Sequence, residues 1–390
     1  MTDVIVVGLG AMGAAVAWQL AQRGAHVLGL DAFTPPHDRG SSHGETRITR
    51  EAVGEGVEYV PLVRRSHAIW RTLEKEPGEL FAPVGCLTLA CRGGGAQRHG
   101  GANFLDQTLE VARLSGARHE TLEAPEIRAR YPQFLVPDET VGVLDPAAGL
   151  LRPERCIAAQ LQAAGRAGAT LRFGERVSSI ARDGAGLCVT TDQGRHAAAR
   201  VVVCAGAWLP ELLGGRYREG LKVYPQALHW FATSEPQLWS PDRCPVFLWF
   251  HGDGPTDIFY GMPMAPGGHA GVKVATEQYA ASCAPDALAR DVAEAESQAM
   301  FERHVVGRLR GVTSRRVAAA RCLYTFNPPR GRFLIGPDPD LEGVFVVSAC
   351  SGHGFKHSAA IGEAVAQTLV DGASDLDLSP FRSGAGEVSG

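Results

Sequence analysis

The chain is poor in lysine. Among its 390 residues are 38 basic side chains, and only Lys75, Lys222, Lys273 and Lys356 are lysines. Charge of one sign is missing too: acids and bases leave a net of −4, which offers no electrostatic footprint for nucleic acid or for an anionic bilayer. The nine cysteines include no C-x-x-C pair and are odd in number. That argues against a zinc site and a disulfide framework, and a reducing cytoplasm is the expected setting. Long apolar runs are absent as well. The uncharged stretch from Val4 to Gln22 approaches spanning length, but Gly8, Gly10 and Gly13 break it and Asp3 rather than a basic residue precedes it. Neither a signal peptide nor a membrane helix is built that way. There is no internal repeat. What is present, 45% hydrophobic and 21% charged residues, is the composition of a soluble enzyme long enough for two or three domains.

The same N-terminal stretch reads as strand, turn, helix, strand. VIVVG is a β-branched run suited to a buried parallel strand. GLGAMG has the spacing G-x-G-x-x-G, and a helix is predicted from Ala11 to Arg23, closed by Gly24. A second strand, HVLGLD, ends on Asp31. Gly8 allows the tight turn, Gly10 allows a pyrophosphate to approach the backbone around Ala11 and Met12, and Gly13 packs helix on strand. The helix start then faces phosphates with free N–H groups, and Asp31 can accept hydrogen bonds from ribose hydroxyls. In this context the motif predicts a dinucleotide site, without choosing between FAD and a nicotinamide.

The next segments choose. RGSSHGETRITREA (39–52) is packed with Ser, His and Arg where a crossover helix would stand. With VVVCAGAW, FYGMP, GVKVATE, RCLYTFNPP and SACSGHGFKHSAAIGE, in that order over nearly the whole chain, it resembles the monomeric sarcosine oxidase and N-methyltryptophan oxidase family of flavoprotein amine oxidases, in the D-amino-acid oxidase-like superfamily. The resemblance implies an α/β fold in which a Rossmann-like FAD-binding domain is interleaved with an α+β substrate domain on a mostly antiparallel sheet. The FAD domain is expected at 1–84, 151–212 and 316–390, and the substrate domain at 85–150 and 213–315. Strands are predicted at KVYPQALHWFAT, PVFLWF, DIFYG and AGVKVA, and one long helix from Pro285 to about Arg303. The glycine-rich run 91–103 reads as a flexible loop and the tail RSGAGEVSG as disordered.

Site roles follow from the resemblance, each with a physical reason. Cys322 is expected to carry FAD as a thioether, its thiolate favoured by Arg321 or by the flavin site; the alternative is a free thiol beside noncovalent FAD. Lys273 is expected beside the flavin, where a fixed cation stabilises charge developing on oxygen; the alternative is a strand-edge lysine facing water. Arg50 and Lys356 form the expected clamp for the substrate carboxylate. Arg47 and His43 are placed near the flavin ring, Tyr260 and Tyr324 in the substrate cavity, and Val177 on the adenine side. Ser41 and Ser42 belong to the cofactor segment, and Gly352, His353 and Gly354 lie at the pyrimidine end, where bare backbone can approach.

The implied activity is oxidation of a secondary, N-methyl amino acid with O2 as electron acceptor, by a monomer needing neither nucleic acid nor membrane. Hydrogen peroxide is released, with an imine that hydrolyses to formaldehyde and an amino acid. A cyclic imino acid or fructosyl amino acid substrate, or a dehydrogenase passing electrons to a partner, are the other readings. One departure bears on selectivity. Sarcosine-selective members carry a histidine four residues after the lysine, where this chain has Glu277, and the loop Met262 to Gly271 reads as two residues longer.

Overall fold

A computed structural model describes residues 2–95, 97–98 and 103–382. The β-branched N-terminal run forms the strand Thr2–Val7, buried between Arg195–Val203 and Val27–Asp31 and parallel to both. Parallel pairing continues to Thr170–Phe173 on one side and Val344–Ser348 on the other. Two antiparallel strands, Val177–Asp183 and Gly186–Thr191, close one edge. Such a sheet is covered on both faces. On one face lie the helices Ala11–Gln22, Pro153–Arg166 and Ser358–Val370, whose small residues allow close packing. A Cβ on Gly362 would stand 2.4 Å from the Cβ of Ala15, so the first and last helices meet with almost no space to spare.

The second sheet runs Val312–Phe326, Lys222–Thr233, Val272–Ala275, Ile258–Met262, Val246–Phe250, Cys86–Cys91, Thr140–Asp145, Glu120–Glu123. All its pairings are antiparallel except that of Val246–Phe250 with Cys86–Cys91. Aromatic side chains, Phe134, Trp239, Phe247, Trp249 and Phe259 among them, build its core. A small third sheet joins Arg47–Thr49, Gly149–Leu151 and Phe81–Ala82.

Two expectations are corrected. Residues 316–326, assigned from sequence to the cofactor domain, are the larger part of the strand Val312–Phe326 in the second sheet, paired with Lys222–Thr233 from Lys222↔Phe326 onward. The long helix predicted from Pro285 is only Glu294–Met300, continued by a wide turn over Phe301–Val305. Tertiary contacts outweigh helix propensity in the preceding stretch. The Asp286 carboxylate takes hydrogen bonds from Trp208 and Arg176, and Arg290 donates to the carbonyl of Asp38, so this segment is held out against the first layer. The tail from residue 383 and five positions of the glycine-rich run lie outside the described residues. Among the described residues no helix is long and apolar enough to cross a membrane, and no cluster of His, Cys, Asp and Glu could hold a metal ion.

Candidate functional site

A cavity enclosing about 1770 Å³ of atom-free space, its open mouth included, runs from the first sheet to the second. At one end stands the glycine turn. Gly8 has φ +85°, and a Cβ there would lie 2.6 Å from the Cys204 carbonyl oxygen; a Cβ on Gly13 would lie 1.7 Å from the Gly8 carbonyl oxygen. Where a Cβ on Gly10 would point there is open space. Gly10, Ala11 and Met12 line the cavity, and the first N–H groups of a helix have no acceptor within it. Asp31, at the end of its strand, receives Leu9 N–H at 2.7 Å and Phe33 N–H at 2.8 Å, and its oxygens keep further lone pairs. Val177 lines the same end. A cradle of bare backbone ending at a helix start and a buried acid fits a dinucleotide.

The other end is built by the third sheet, the second sheet and the loop before the last helix. Ser41, Ser42, Arg47, Arg50, Tyr260 and Tyr324 line it, joined by Gly352, His353, Gly354 and Lys356. The Ser41 hydroxyl donates to the Leu323 carbonyl, and Arg47 donates to the carbonyls of Ser41 (2.7 Å) and Thr46 (2.9 Å). The hydroxyls of Tyr260 and Tyr324 are hydrogen-bonded at 3.0 Å. Gly352 has φ +78°, and a Cβ on it would press on Tyr324 at 2.9 Å; its bareness makes room for that ring. Lys356 Nζ donates to the His353 carbonyl at 2.7 Å. Burial, opposed by Glu55, brings the pKa of this lysine down to about 7.

Three predicted residues sit behind the lining rather than in it. Lys273 is 2% exposed, which excludes the reading of a strand-edge lysine in water. Its ammonium donates to Gly44 O (2.6 Å), Thr46 O (2.8 Å) and Thr46 Oγ1 (3.3 Å) and lies over the Trp230 ring. Burial, then Arg47, pushes its pKa well below the ordinary value. His43 is buried and neutral at physiological pH, its pKa lowered to about 4 by burial and by Arg47. Cys322 is fully buried beside Trp230 and Tyr324. Burial raises its pKa while Arg47 and Lys273 oppose that rise. Arg321, expected to favour the thiolate, is instead paired in both arms with Glu296.

The structure adds residues that sequence reasoning missed. Arg50 does not stand free: it binds both oxygens of Glu55, at 2.7 and 2.8 Å. Glu55 also receives Arg98, and Arg98 reaches Glu277. Burial opposes ionisation of Glu55, yet Arg50, Lys356 and Arg98 hold its carboxyl well below the usual range. Glu277 is buried rather than facing solvent. Glu154 accepts the N–H groups of Gly44 and Glu45, fixing the turn that Lys273 grips. The spacing of Arg50 and Glu55 in TREAVGE was a local signal for the first pair; nothing local marked Arg98.

Comparison with known proteins agrees with this geometry. Residues 3–368 match the family described as FAD dependent oxidoreductase. The chain is 35% identical to a monomeric sarcosine oxidase of Streptomyces avermitilis, over 97% of this chain and 96% of the relative. It is 35% identical to an N-methyl-L-tryptophan oxidase of Yersinia pestis, over 97% and 98%. Among solved structures, a Tyr258Phe mutant of NikD, an unusual amino acid oxidase essential for nikkomycin biosynthesis, superposes with a TM-score of 0.83 at 26% identity, covering 98% of this chain and 96% of that one. Glycine oxidase from Geobacillus kaustophilus shares the fold, with a TM-score of 0.75 at 22% identity over 97% of each chain. With the dinucleotide cradle and the match agreeing over almost the full length, the chain belongs to the FAD-dependent oxidoreductase family.

Proposed function

We propose that the chain oxidises secondary amino acids, N-methyl amino acids foremost, with O2 as acceptor. The N-methyl amine and O2 give an N-methylene imine and hydrogen peroxide, and water then splits the imine into the amino acid and formaldehyde. FAD, which the Gly8–Gly13 turn and Asp31 would hold, would supply the two-electron chemistry that links C–H oxidation to O2. The observation that carries the reading is the meeting of Arg50 and Lys356, from distant parts of the chain, on one wall of the cavity that begins at the dinucleotide cradle. Together they bind the substrate carboxylate, Arg50 exchanging its hold on Glu55 for it. The hydroxyls of Tyr260 and Tyr324 bound the space for the amine, and the closely packed second sheet excludes water. Lys273, gripped by three oxygens, holds a cation near the point where charge develops on oxygen. The relatives' printed activities support the substrate class. A screen of N-methyl and cyclic amino acids for peroxide release tests it, with at least one expected to give peroxide and formaldehyde in equal amounts; peroxide from none would sink the proposal.

FAD is bound through Cys322, in our reading. Arg47 and Lys273 are the cations that favour its thiolate. Two other cysteines line the cavity, Cys204, which is buried against the glycine turn, and Cys350, which is partly exposed and is the rival attachment site. Acid-precipitated protein is expected to stay yellow, Cys322→Ser to release its flavin, and Cys350→Ser to retain it. Release from Cys350→Ser alone would move the attachment site.

A further inference from the structure

Two arginines and two glutamates form a relay along the cavity wall. Glu55 receives Arg50 Nη2 at 2.7 Å and Arg98 Nη1 at 2.5 Å, and Arg98 Nη2 donates to Glu277 at 2.6 Å. The Tyr279 hydroxyl donates to the other Glu277 oxygen at 3.1 Å. Both guanidinium groups lie over the ring of Phe104, at 5.4 and 5.3 Å. The side chains of Arg98 and Glu277 are 6% and 4% exposed, and both line the cavity with Arg50 and Lys356. The proposed reaction gives Arg98 and Glu277 no task, yet burying an ion pair is costly. We propose that Arg98 and Glu277 are the specificity-determining pair for the substrate side chain, and that Arg98, by neutralising Glu277 from within the protein, tunes the cavity to uncharged side chains.

The inference rests on the reading of this cavity as a secondary amino acid site, and it follows from the charges present. Among the described residues Arg50, Arg98 and Lys356 face Glu55 and Glu277; with Lys356 protonated this leaves one positive charge, which the substrate's α-carboxylate cancels. A side-chain carboxylate would meet Glu277, and a side-chain ammonium would meet Arg98; like charges brought together in a desolvated space discriminate strongly. Without Arg98, Glu277 loses a buried cationic partner, and a basic side chain can take that place. With the charge of Glu277 removed, one arm of Arg98 is released, and its planar fork suits a second carboxylate.

The test uses the flavin-loaded protein and follows anaerobic flavin reduction by N-methyl-alanine, N-methyl-lysine (methylated at the α-nitrogen) and N-methyl-glutamate. Wild type should prefer the alanine derivative. Arg98→Gln should raise the lysine-to-alanine ratio of kcat/KM by about tenfold or more, and Glu277→Gln the glutamate-to-alanine ratio by a similar factor, each equivalent to roughly 1.4 kcal/mol. The double variant should return both ratios toward wild type. A structural role would lower all three substrates together, and that result, or unmoved ratios, overturns the inference while leaving the proposed function standing. Should Arg98→Gln fail to hold flavin, Glu277→Gln decides alone. If neither these substrates nor sarcosine reduces the wild-type flavin, the reading of the cavity fails and takes the inference with it.

Discussion

Replacing Lys273 by methionine is expected to slow reoxidation of the reduced enzyme by O2 by about two to three orders of magnitude. One fixed charge at a developing anion in a water-poor site lowers the barrier by roughly 3–4 kcal/mol. Lys273 suits that task because it cannot move: three oxygens from the 44–46 turn hold its ammonium, and Glu154 in turn fixes that turn. Methionine matches the length and apolar character of the side chain, so the fold should survive the change. Anaerobic reduction by substrate should lose far less than reoxidation. Burial, then Arg47, moves the lysine pKa well below its ordinary value. The cation is therefore surrendered as pH rises, and the reoxidation rate of wild type should fall along that titration while the variant stays flat. Stopped-flow measurement of the two half-reactions separates the outcomes, and equal losses in both would mark Lys273 as a structural residue.

The cofactor end of this protein was legible because its signals are local. Gly8, Gly10 and Gly13 fall within one strand–turn–helix segment; a Cβ on Gly13 would strike the Gly8 carbonyl, and one on Gly8 would strike that of Cys204. The strand ending at Asp31 and the helix between are read from the G-x-G-x-x-G context and the closing Gly24. The substrate end was legible only residue by residue. Arg50, Lys356, Tyr260 and Tyr324, singled out from sequence, line one cavity, but sequence did not point to the ion-pair partners Glu55 and Arg98. Arg98 lies 43 positions from Glu55 and 179 from Glu277, in a run whose glycines read as a featureless loop. Long-range ion pairs leave no periodic trace. The failed helix after Pro285 has the same cause, since Trp208, Arg176 and Asp38 fix that segment from the other layer. Strand signals were sound, but the sheet to which residues 316–326 belong is decided by their pairing with Lys222–Thr233, and sequence alone does not reveal pairing.

The proposed carboxylate clamp carries the second large effect, and it tests the substrate class apart from the fold. Arg50→Met and Lys356→Met should each weaken binding of an N-methyl amino acid by about 2–5 kcal/mol, the cost of removing one partner of a desolvated charge pair, with flavin content unchanged. Arg50→Lys should not restore binding, because a point charge cannot reproduce a planar guanidinium that holds Glu55 through Nη2 and the Ala52 carbonyl through Nη1 at once. The pH dependence has a definite sign. In the free site the Lys356 pKa is lowered to about 7 by burial, against the pull of Glu55, so its cation is present below that pH and lost above it. A carboxylate lacking the amine should bind progressively more weakly as pH rises through about 7, taking up a proton as it binds, and Lys356→Met should abolish that slope. The amine of a true substrate titrates in the opposite sense, so the amine-free ligand isolates the lysine. A simple N-methylalkylamine oxidised as fast as the best N-methyl amino acid would remove the carboxylate from recognition, leaving Arg50 with the partners it has among the described residues, Glu55, Ala52 and the Phe104 ring.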